Sequence, residues 1–331
     1  MSILINCAEA SAATRSSEFA LKMKTPLRIL AALVVSVSTS SSAAQPAALK
    51  TFMEQQGFGG APLQRRFGNH LFVNTLINGR RSALMIDSGC PDTLIDRSNA
   101  MRLGLRVKET KGYIVGIAGN AERSGMSKLA TLTMGNCTFK DVPVAVANEE
   151  QINFIARPHL DGLFGAHEMA RFGMVIDCAR QMIYVNPRGP SAAASQKLAQ
   201  FLTGRGFTRI PMHFNPDHHL EVDTALNGRP TKLTVDTGSG FSLISAPVAT
   251  ASGVTMSPRF NDHGEGIGFV KQMTLGNLVV NNAEVAVGNV ANFVGAGLLG
   301  EEYLSWNFGI VDVGGMNLYL RPPEAKPSKK R

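Results

Sequence analysis

Leu233-Thr234-Val235-Asp236-Thr237-Gly238-Ser239-Gly240-Phe241-Ser242-Leu243-Ile244 is the stretch on which the fold turns. Three apolar or β-branched residues lead into a carboxylate, a hydroxyl residue and a glycine follow, and the chain returns to an apolar pair. A carboxylate at the tip of a buried strand is costly unless donors surround it. Thr237, Gly238 and Ser242 supply a hydroxyl, an unencumbered backbone N–H and a second hydroxyl for that purpose. Alone, the string is equally an ordinary strand end with an Asp in the turn. The chain, however, contains it twice: Leu84-Met85-Ile86-Asp87-Ser88-Gly89-Cys90-Pro91-Asp92-Thr93-Leu94-Ile95 has the same order of chemical types.

Working outward, Phe72–Ile95 aligns without a gap on Glu221–Ile244, at the 149-residue offset that carries Asp87 onto Asp236. Self-similarity at a fixed offset takes precedence over any local reading. Each copy reads as a strand, an Asn-Gly turn (Asn78-Gly79, Asn227-Gly228) and a second strand ending at the Asp. Asn-Gly is a strong hairpin signal because both residues tolerate positive φ. A second block, Leu132–Asn136 through Val142–Val146, matches Met273–Asn277 through Ala283–Val287, and two strands around a Gly-Asn turn fit both. A third block aligns Leu163-Phe164-Gly165 with Leu298-Leu299-Gly300, then Met174–Asp177 with Gly309–Asp312 and Met182–Val185 with Asn317–Leu320. Alternation again predicts strands. Ala166–Phe172 and Glu301–Phe308 each have room for one or two helical turns.

The bulk properties fit this reading. A chain of 331 residues with 44% apolar and 18% charged residues and 33 glycines is globular rather than disordered and holds about two domains. Residues 1–44 read as a leader. Lys22, Lys24 and Arg28 precede the apolar run Ile29–Val35 and the small residues Ser42-Ala43-Ala44, the order of a secretory signal peptide cleaved after Ala44. The run is shorter than the roughly 20 residues a spanning helix needs. The expected start of translation is Met23. Part of the net charge of +8 belongs to the leader and to the tail Lys326-Pro327-Ser328-Lys329-Lys330-Arg331. That tail reads as a solvated end, not a nucleic-acid or membrane contact.

The expected organisation is a leader at 1–44, an N-terminal arm at 45–69, a first lobe at 70–186, a linker with a short helix at 187–218, a second lobe at 219–321 and a basic tail at 322–331. The linker begins Pro187-Arg188-Gly189-Pro190-Ser191, and Ala192–Leu202 carries an apolar stripe at Leu198, Phe201 and Leu202. Of the four cysteines, Cys7 lies in the leader. Cys90, Cys137 and Cys178 allow at most one internal disulfide.

Two carboxylates from homologous loops, brought face to face across a pseudo-twofold, cannot both ionise at close range and share a proton. Such a pair can hold a water, one carboxyl accepting its proton while the other donates to a carbonyl oxygen. With its later hydroxyl and apolar-apolar-Gly segments, the duplicated pattern resembles the aspartic peptidases of the retropepsin and pepsin group. It is similar to a bacterial-type exported protein with two retropepsin-like lobes in one chain, and the resemblance covers 70–321. It implies an all-β fold of two homologous β-barrel lobes related by a pseudo-twofold, with the active-site cleft between them. Asp87 and Asp236 would be the catalytic pair. Ser88 and Thr237 would make inter-lobe hydroxyl-to-backbone contacts, Gly89 and Gly238 would leave N–H groups near the carboxylates, and Thr93 and Ser242 would be the supporting hydroxyls.

Flaps would fall at Tyr113–Gly125, with Gly116 and Gly119, and at Asn261–Phe269, with Gly264, Gly266 and Gly268. The first loop departs from the family's usual Asp-Thr-Gly at Ser88, Cys90 and Pro91.

The implied activity is water-mediated hydrolysis of peptide bonds, without cofactor or metal, by an exported monomer acting on an extended peptide or protein. The alternative is a weak or inactive peptide-binding module on the same fold. His213, Asp217, His218 and His219 cluster before the second lobe and read as a solvated turn rather than a zinc site. Cys90 lacks the surroundings of a nucleophilic thiol. Gly264–Gly268 lacks the Gly-Lys-Ser/Thr of a phosphate loop.

Overall fold

In the second strand of each hairpin the alternation gives way to a buried run as it approaches the Asp: Leu84, Met85 and Ile86, and Leu233, Thr234 and Val235, are all buried. This is what a strand covered on both faces requires. The computed structural model describes residues 44–115, 121–148, 160–257, 266–288 and 295–322. The leader and the basic tail fall outside the described residues. From Leu49 onward the chain forms one compact unit, and it is built almost entirely of β-strands.

The first hairpin pairs Leu71–Ile77 with Arg80–Ile86, and the second pairs Leu220–Leu226 with Arg229–Val235. Both turns have positive φ at both central residues: 51° at Asn78 and 76° at Gly79, then 50° at Asn227 and 82° at Gly228. This is the twist-matched two-residue turn that the Asn-Gly pairs demand. The Gly-Asn blocks are likewise hairpins, Ala121–Met134 with Cys137–Ala147 and Gly266–Leu275 with Leu278–Gly288.

Each lobe closes through the apolar-apolar-Gly segment. Gly162–Phe164 lies parallel to Arg80–Ile86 on one side and antiparallel to Leu94–Asp96 on the other. Gly297–Leu299 does the same between Arg229–Val235 and Leu243–Ser245. A strand is thus threaded between the arms of each Asp loop. One continuous hydrophobic core draws residues from both lobes, including Ile86 and Phe164 from the first and Val235 and Leu299 from the second.

A six-stranded antiparallel sheet joins the lobes in the order Gly59–Arg65, Met182–Val185, Val175–Asp177, Ile310–Asp312, Asn317–Leu320, Thr208–Phe214. Its centre is symmetric: Val311 opposes Ile176, flanked by Ile310 with Asp177 and Asp312 with Val175. Two helices, Ala44–Gln55 and Ala192–Thr203, supply the apolar residues that cover this sheet. Leu49 and Met53 are buried with Leu198 and Leu202 over Tyr184 and Tyr319, and the rings of Phe52 and Phe201 stack at 4.2 Å.

The duplication therefore reaches further back than the hairpins. At the same 149-residue offset, Leu49 falls on Leu198, Phe52 on Phe201 and Gly57-Phe58 on Gly206-Phe207. Residues 45–69 and 187–218 hold equivalent helix and strand pairs. The expected one-turn helices are present at Ala166–Arg171 and Glu301–Trp306. No disulfide joins the cysteines among the described residues, and Cys137 and Cys178 are buried thiols. Among the described residues no helix is long and apolar enough to cross a membrane.

One buried ion pair ties the lobes together. Arg65, from the first lobe, donates at 2.8 Å to Glu301 Oε1 and at 2.8 Å to the Cys178 carbonyl, and Glu301 has no exposed side-chain surface. Removing one partner of a buried pair strands the other charge. Arg65→Leu is expected to destabilise the chain by about 3–5 kcal/mol in urea unfolding. The double variant Arg65→Leu/Glu301→Leu should recover most of that loss, and a double variant as unstable as the single would contradict this account.

Candidate active site

Asp87 and Asp236 are delivered by equivalent strands. The Asp87 N–H donates to the Phe164 carbonyl at 3.1 Å, and the Asp236 N–H to the Leu299 carbonyl at 3.0 Å. The threaded strand therefore fixes the height at which each carboxylate leaves its sheet.

The residues after the two aspartates lock the loops to each other. Ser88 Oγ donates to the Val235 carbonyl at 2.6 Å and accepts from the Thr237 N–H at 3.0 Å. Thr237 Oγ1 donates to the Ile86 carbonyl at 2.8 Å and accepts from the Ser88 N–H at 3.1 Å. Both side chains have zero exposure. Four backbone groups that would otherwise be buried unsatisfied are paired in this way, each lobe completing the other. Serine in place of threonine leaves the network whole.

The carboxylates take their donors from their own loops. Asp87 Oδ1 accepts from the N–H groups of Gly89 and Cys90, each at 3.0 Å. Asp236 Oδ1 accepts from Gly238 at 2.8 Å and Ser239 at 3.0 Å. Their placement crosses over: a methyl on Gly89 would overlap the Asp236 carboxylate, and one on Gly238 would overlap that of Asp87. Only glycine permits this approach. The two carboxyls share a hydrogen bond. Asp236 is 5% exposed and Asp87 is partly buried. Burial pushes the pKa of both upward, and the neighbouring Asp87 charge carries Asp236 well above the ordinary 3.8. Like charges in low dielectric resist a second ionisation, so the pair titrates as a unit around one shared proton.

The supporting hydroxyls sit behind the loops. Thr93 Oγ1 accepts from the Gly165 N–H at 3.1 Å, and Ser242 Oγ from the Gly300 N–H at 3.0 Å. Their own N–H groups donate to carboxylates that the sequence reading missed, Thr93 to Glu168 at 3.2 Å and Ser242 to Glu302 at 2.8 Å. The two glutamates sit one position apart in the first turns of their short helices, the third residue in one and the second in the other, so the repeat alignment gave no signal for them. Burial raises the pKa of both.

Cys90 and Pro91 do not distort the first loop. The Cys90 carbonyl accepts from Ala166 N at 2.8 Å, just as the Ser239 carbonyl accepts from Glu301 N at 2.8 Å. The Cys90 thiol donates to the Asp92 carbonyl at 3.2 Å, so it is the residue's backbone that serves Asp87.

Of the expected flaps, Gly116, Gly119 and Gly264 lie outside the described residues. Their arms are paired strands: Lys108–Val115 with Ala121–Met134, and Thr255–Met256 with Gly266–Leu275. Gly266 and Gly268 belong to the second arm, and Gly268 is buried between Met256 and Val285 in the sheet.

The histidine-rich turn does not converge on one point. His213 Nε2 lies 3.3 Å from Lys232 Nζ, His218 meets the edge of His167 at 5.0 Å between centroids, and His219 crosses to the other lobe. His219 Nδ1 is 2.9 Å from the Gly89 carbonyl oxygen. Its repeat partner His70, also missed, has its Nδ1 buried without a hydrogen-bond partner. The identity was visible at the 149-residue offset, two residues ahead of the aligned stretch. Among the described residues no group of His, Cys, Asp and Glu is arranged to hold a metal ion.

Comparison with known proteins agrees with this geometry. Residues 73–167, spanning the Asp87 loop through the Leu-Phe-Gly segment, match the family model for aspartyl proteases. Among solved structures, basic 7S globulin from soybean aligns with a TM-score of 0.50 at 9% identity, covering 80% of this chain and 94% of that one. A retropepsin-like aspartic protease from Rickettsia conorii aligns with a TM-score of 0.30 at 21% identity, covering 39% of this chain and 90% of that one. No curated protein matches the chain. The fold is the two-lobed acid-protease β-barrel.

The hydroxyl lock can be tested without any substrate. Thr237→Val keeps the shape but orphans the Ser88 N–H in a dry site, and should cost about 1–3 kcal/mol. Thr237→Ser should stay close to wild type in the same denaturant titration. A loss in Thr237→Ser with little loss in Thr237→Val would mean that packing of the methyl group, not the hydroxyl, is what matters.

Proposed function

We propose that this chain is an aspartic endopeptidase in which Asp87 and Asp236 act as one acid–base pair on a water molecule. The observation that carries the reading is the reciprocal crossing of the two loops: each carboxylate lies against the other loop's glycine and shares a hydrogen bond with its partner. The aspartyl protease match over the first lobe supports it.

With one proton between them, the ionised carboxyl removes a proton from the water as its oxygen bonds to the scissile carbonyl carbon. The protonated carboxyl meanwhile gives its proton to the carbonyl oxygen. The tetrahedral diol then collapses: the C–N bond breaks, the nitrogen takes the proton from the carboxyl that the water had protonated, and one diol hydroxyl gives its proton to the other carboxyl, which restores the shared proton. No covalent intermediate with the chain forms. Two backbone N–H donors on each carboxyl keep whichever is ionised from needing solvent. On this reading the substrate is a peptide or unfolded protein held extended between the lobes, partly as an added strand against the flap arms. The same reading makes the protein an exported monomer.

Asp87→Asn and Asp236→Asn should each reduce cleavage of an unfolded protein substrate at acid pH by about 10²-fold or more. Retained cleavage in either variant would sink the mechanism. A wild type silent at every pH that still binds extended peptides would identify a binding module instead.

The pair also has a pH signature in stability. A folded-state pKa raised above 3.8 contributes stability that is complete below that value and lost as pH rises through the folded value. Asp236→Asn is therefore expected to unfold at a higher temperature than wild type at pH 7, with the difference fading below about pH 4. A gain that does not depend on pH would contradict this.

A further inference from the structure

The offset that carries Asp87 onto Asp236 also carries His70 onto His219. Each histidine stands immediately ahead of the first strand of its hairpin, Leu71–Ile77 or Leu220–Leu226, but the two are not equivalent. His219 Nδ1 meets the Gly89 carbonyl of the other lobe at 2.9 Å. His70 Nδ1 is buried without a hydrogen-bond partner. A carbonyl oxygen only accepts, so the ring nitrogen facing it carries hydrogen. For His219 this selects the Nδ1–H tautomer.

The peptide unit after Gly89 has a second task. The Gly89 carbonyl belongs to the same peptide as the Cys90 N–H, which donates to Asp87 Oδ1 at 3.0 Å. A donor on a peptide oxygen polarises the amide and strengthens donation from its nitrogen. A chain of two hydrogen bonds thus runs from the His219 imidazole, through one peptide, to the Asp87 carboxylate of the opposite lobe.

We propose that His219 is a positioning residue for the aspartate pair, holding from across the lobes the peptide whose N–H serves Asp87. The proposal rests on Asp87 and Asp236 working as a pair. Removing the imidazole weakens the donor to an ionised carboxylate, so ionisation of the pair becomes harder.

The charged groups around this relay are accounted for. Asp87 feels Asp236 and His219. Glu221, on the strand after His219, accepts from Asn215 Nδ2 at 2.8 Å and lies 3.8 Å from His213. Lys232, on the paired strand, is beside His213. The Asp217 N–H donates to Asn215 Oδ1 at 3.0 Å. On the other side Arg65 is held by Glu301 and Asn69, and Arg66 lies over the Phe72 ring.

The test is a carboxyl ¹³C NMR titration of the full chain in wild type and His219→Leu, with His219→Gln retaining a side-chain N–H donor. The lower macroscopic step of the pair is expected to rise by about half a unit in His219→Leu and to return toward wild type in His219→Gln. In peptide hydrolysis, kcat should fall severalfold with KM little changed, and the acidic limb of the pH profile should move up with the titration. Thermal unfolding of each variant establishes that it is folded, and His219→Met stands in if His219→Leu does not fold. An unchanged titration in the folded variant overturns the proposal, as does an effect on KM alone. A wild type that titrates as a coupled pair but cleaves no peptide defeats the peptidase reading, and the shift between variants still decides the relay.

Discussion

The reciprocal pairing of Ser88 and Thr237 is the constraint on which the rest of the structure depends. The two Asp loops must leave regular strand structure to present their carboxylates, and so they release backbone groups in a region with no access to water. The hydroxyls of Ser88 and Thr237 are aimed not at their own loop but at the other. Ser88 satisfies Val235 and Thr237, and Thr237 satisfies Ile86 and Ser88. An orphaned buried backbone group costs about as much as several ordinary hydrogen bonds contribute, so separating the lobes would expose the same deficit twice. The lock also brings each carboxylate over the other loop's glycine, which raises both pKa values.

Around this symmetric centre the supporting side chains have diverged. The Arg65–Glu301 pair has no mirror image: at the 149-residue offset Arg65 falls on Phe214, and Glu301 is matched by Ala166 in the other copy. The carboxylates that accept from Thr93 and Ser242 come from non-equivalent positions in the first turns of their helices. In a symmetric dimer every contact is made twice by identical residues. A chain that carries both lobes is under no such obligation, so one inter-lobe ion pair can be kept on one side while the equivalent positions hold apolar residues.

Much of this was legible in the sequence because the hairpins carry their own local instructions. Asn-Gly turns, buried runs before each Asp, and hydroxyls at positions 88, 93, 237 and 242 each have one physical interpretation, and they agree. The segment 45–69 reads as an arm because it is polar and glycine-rich, and its strand, Gly59-Gly60-Ala61-Pro62-Leu63-Gln64-Arg65, has no β-branched residues. It is a strand because pairing with Met182–Val185 and Leu71–Ile77 supplies its hydrogen bonds, and a tertiary cause of that kind leaves no mark on composition. His70 and His219 are a different case. Their identity at a fixed offset was visible, but a histidine beside a polar turn has a solvated reading that only the distance to Gly89 displaces.

The first loop's unusual Cys90-Pro91 bears on where the two halves of the site differ. Asp87 is served by backbone N–H groups, so residue 90 contributes through its main chain whatever its side chain, and proline follows at a position whose equivalent, Gly240, also donates nothing to a carboxylate. The chemistry of the pair is therefore indifferent to the substitution. The rim is not. Asp92, exposed and paired with His167 at 3.0 Å, occupies the place that Phe241, 56% exposed, holds in the second loop. The two loops therefore differ at this outer position, charged in the first and aromatic in the second, while the hydroxyl lock and the backbone donors keep the centre symmetric.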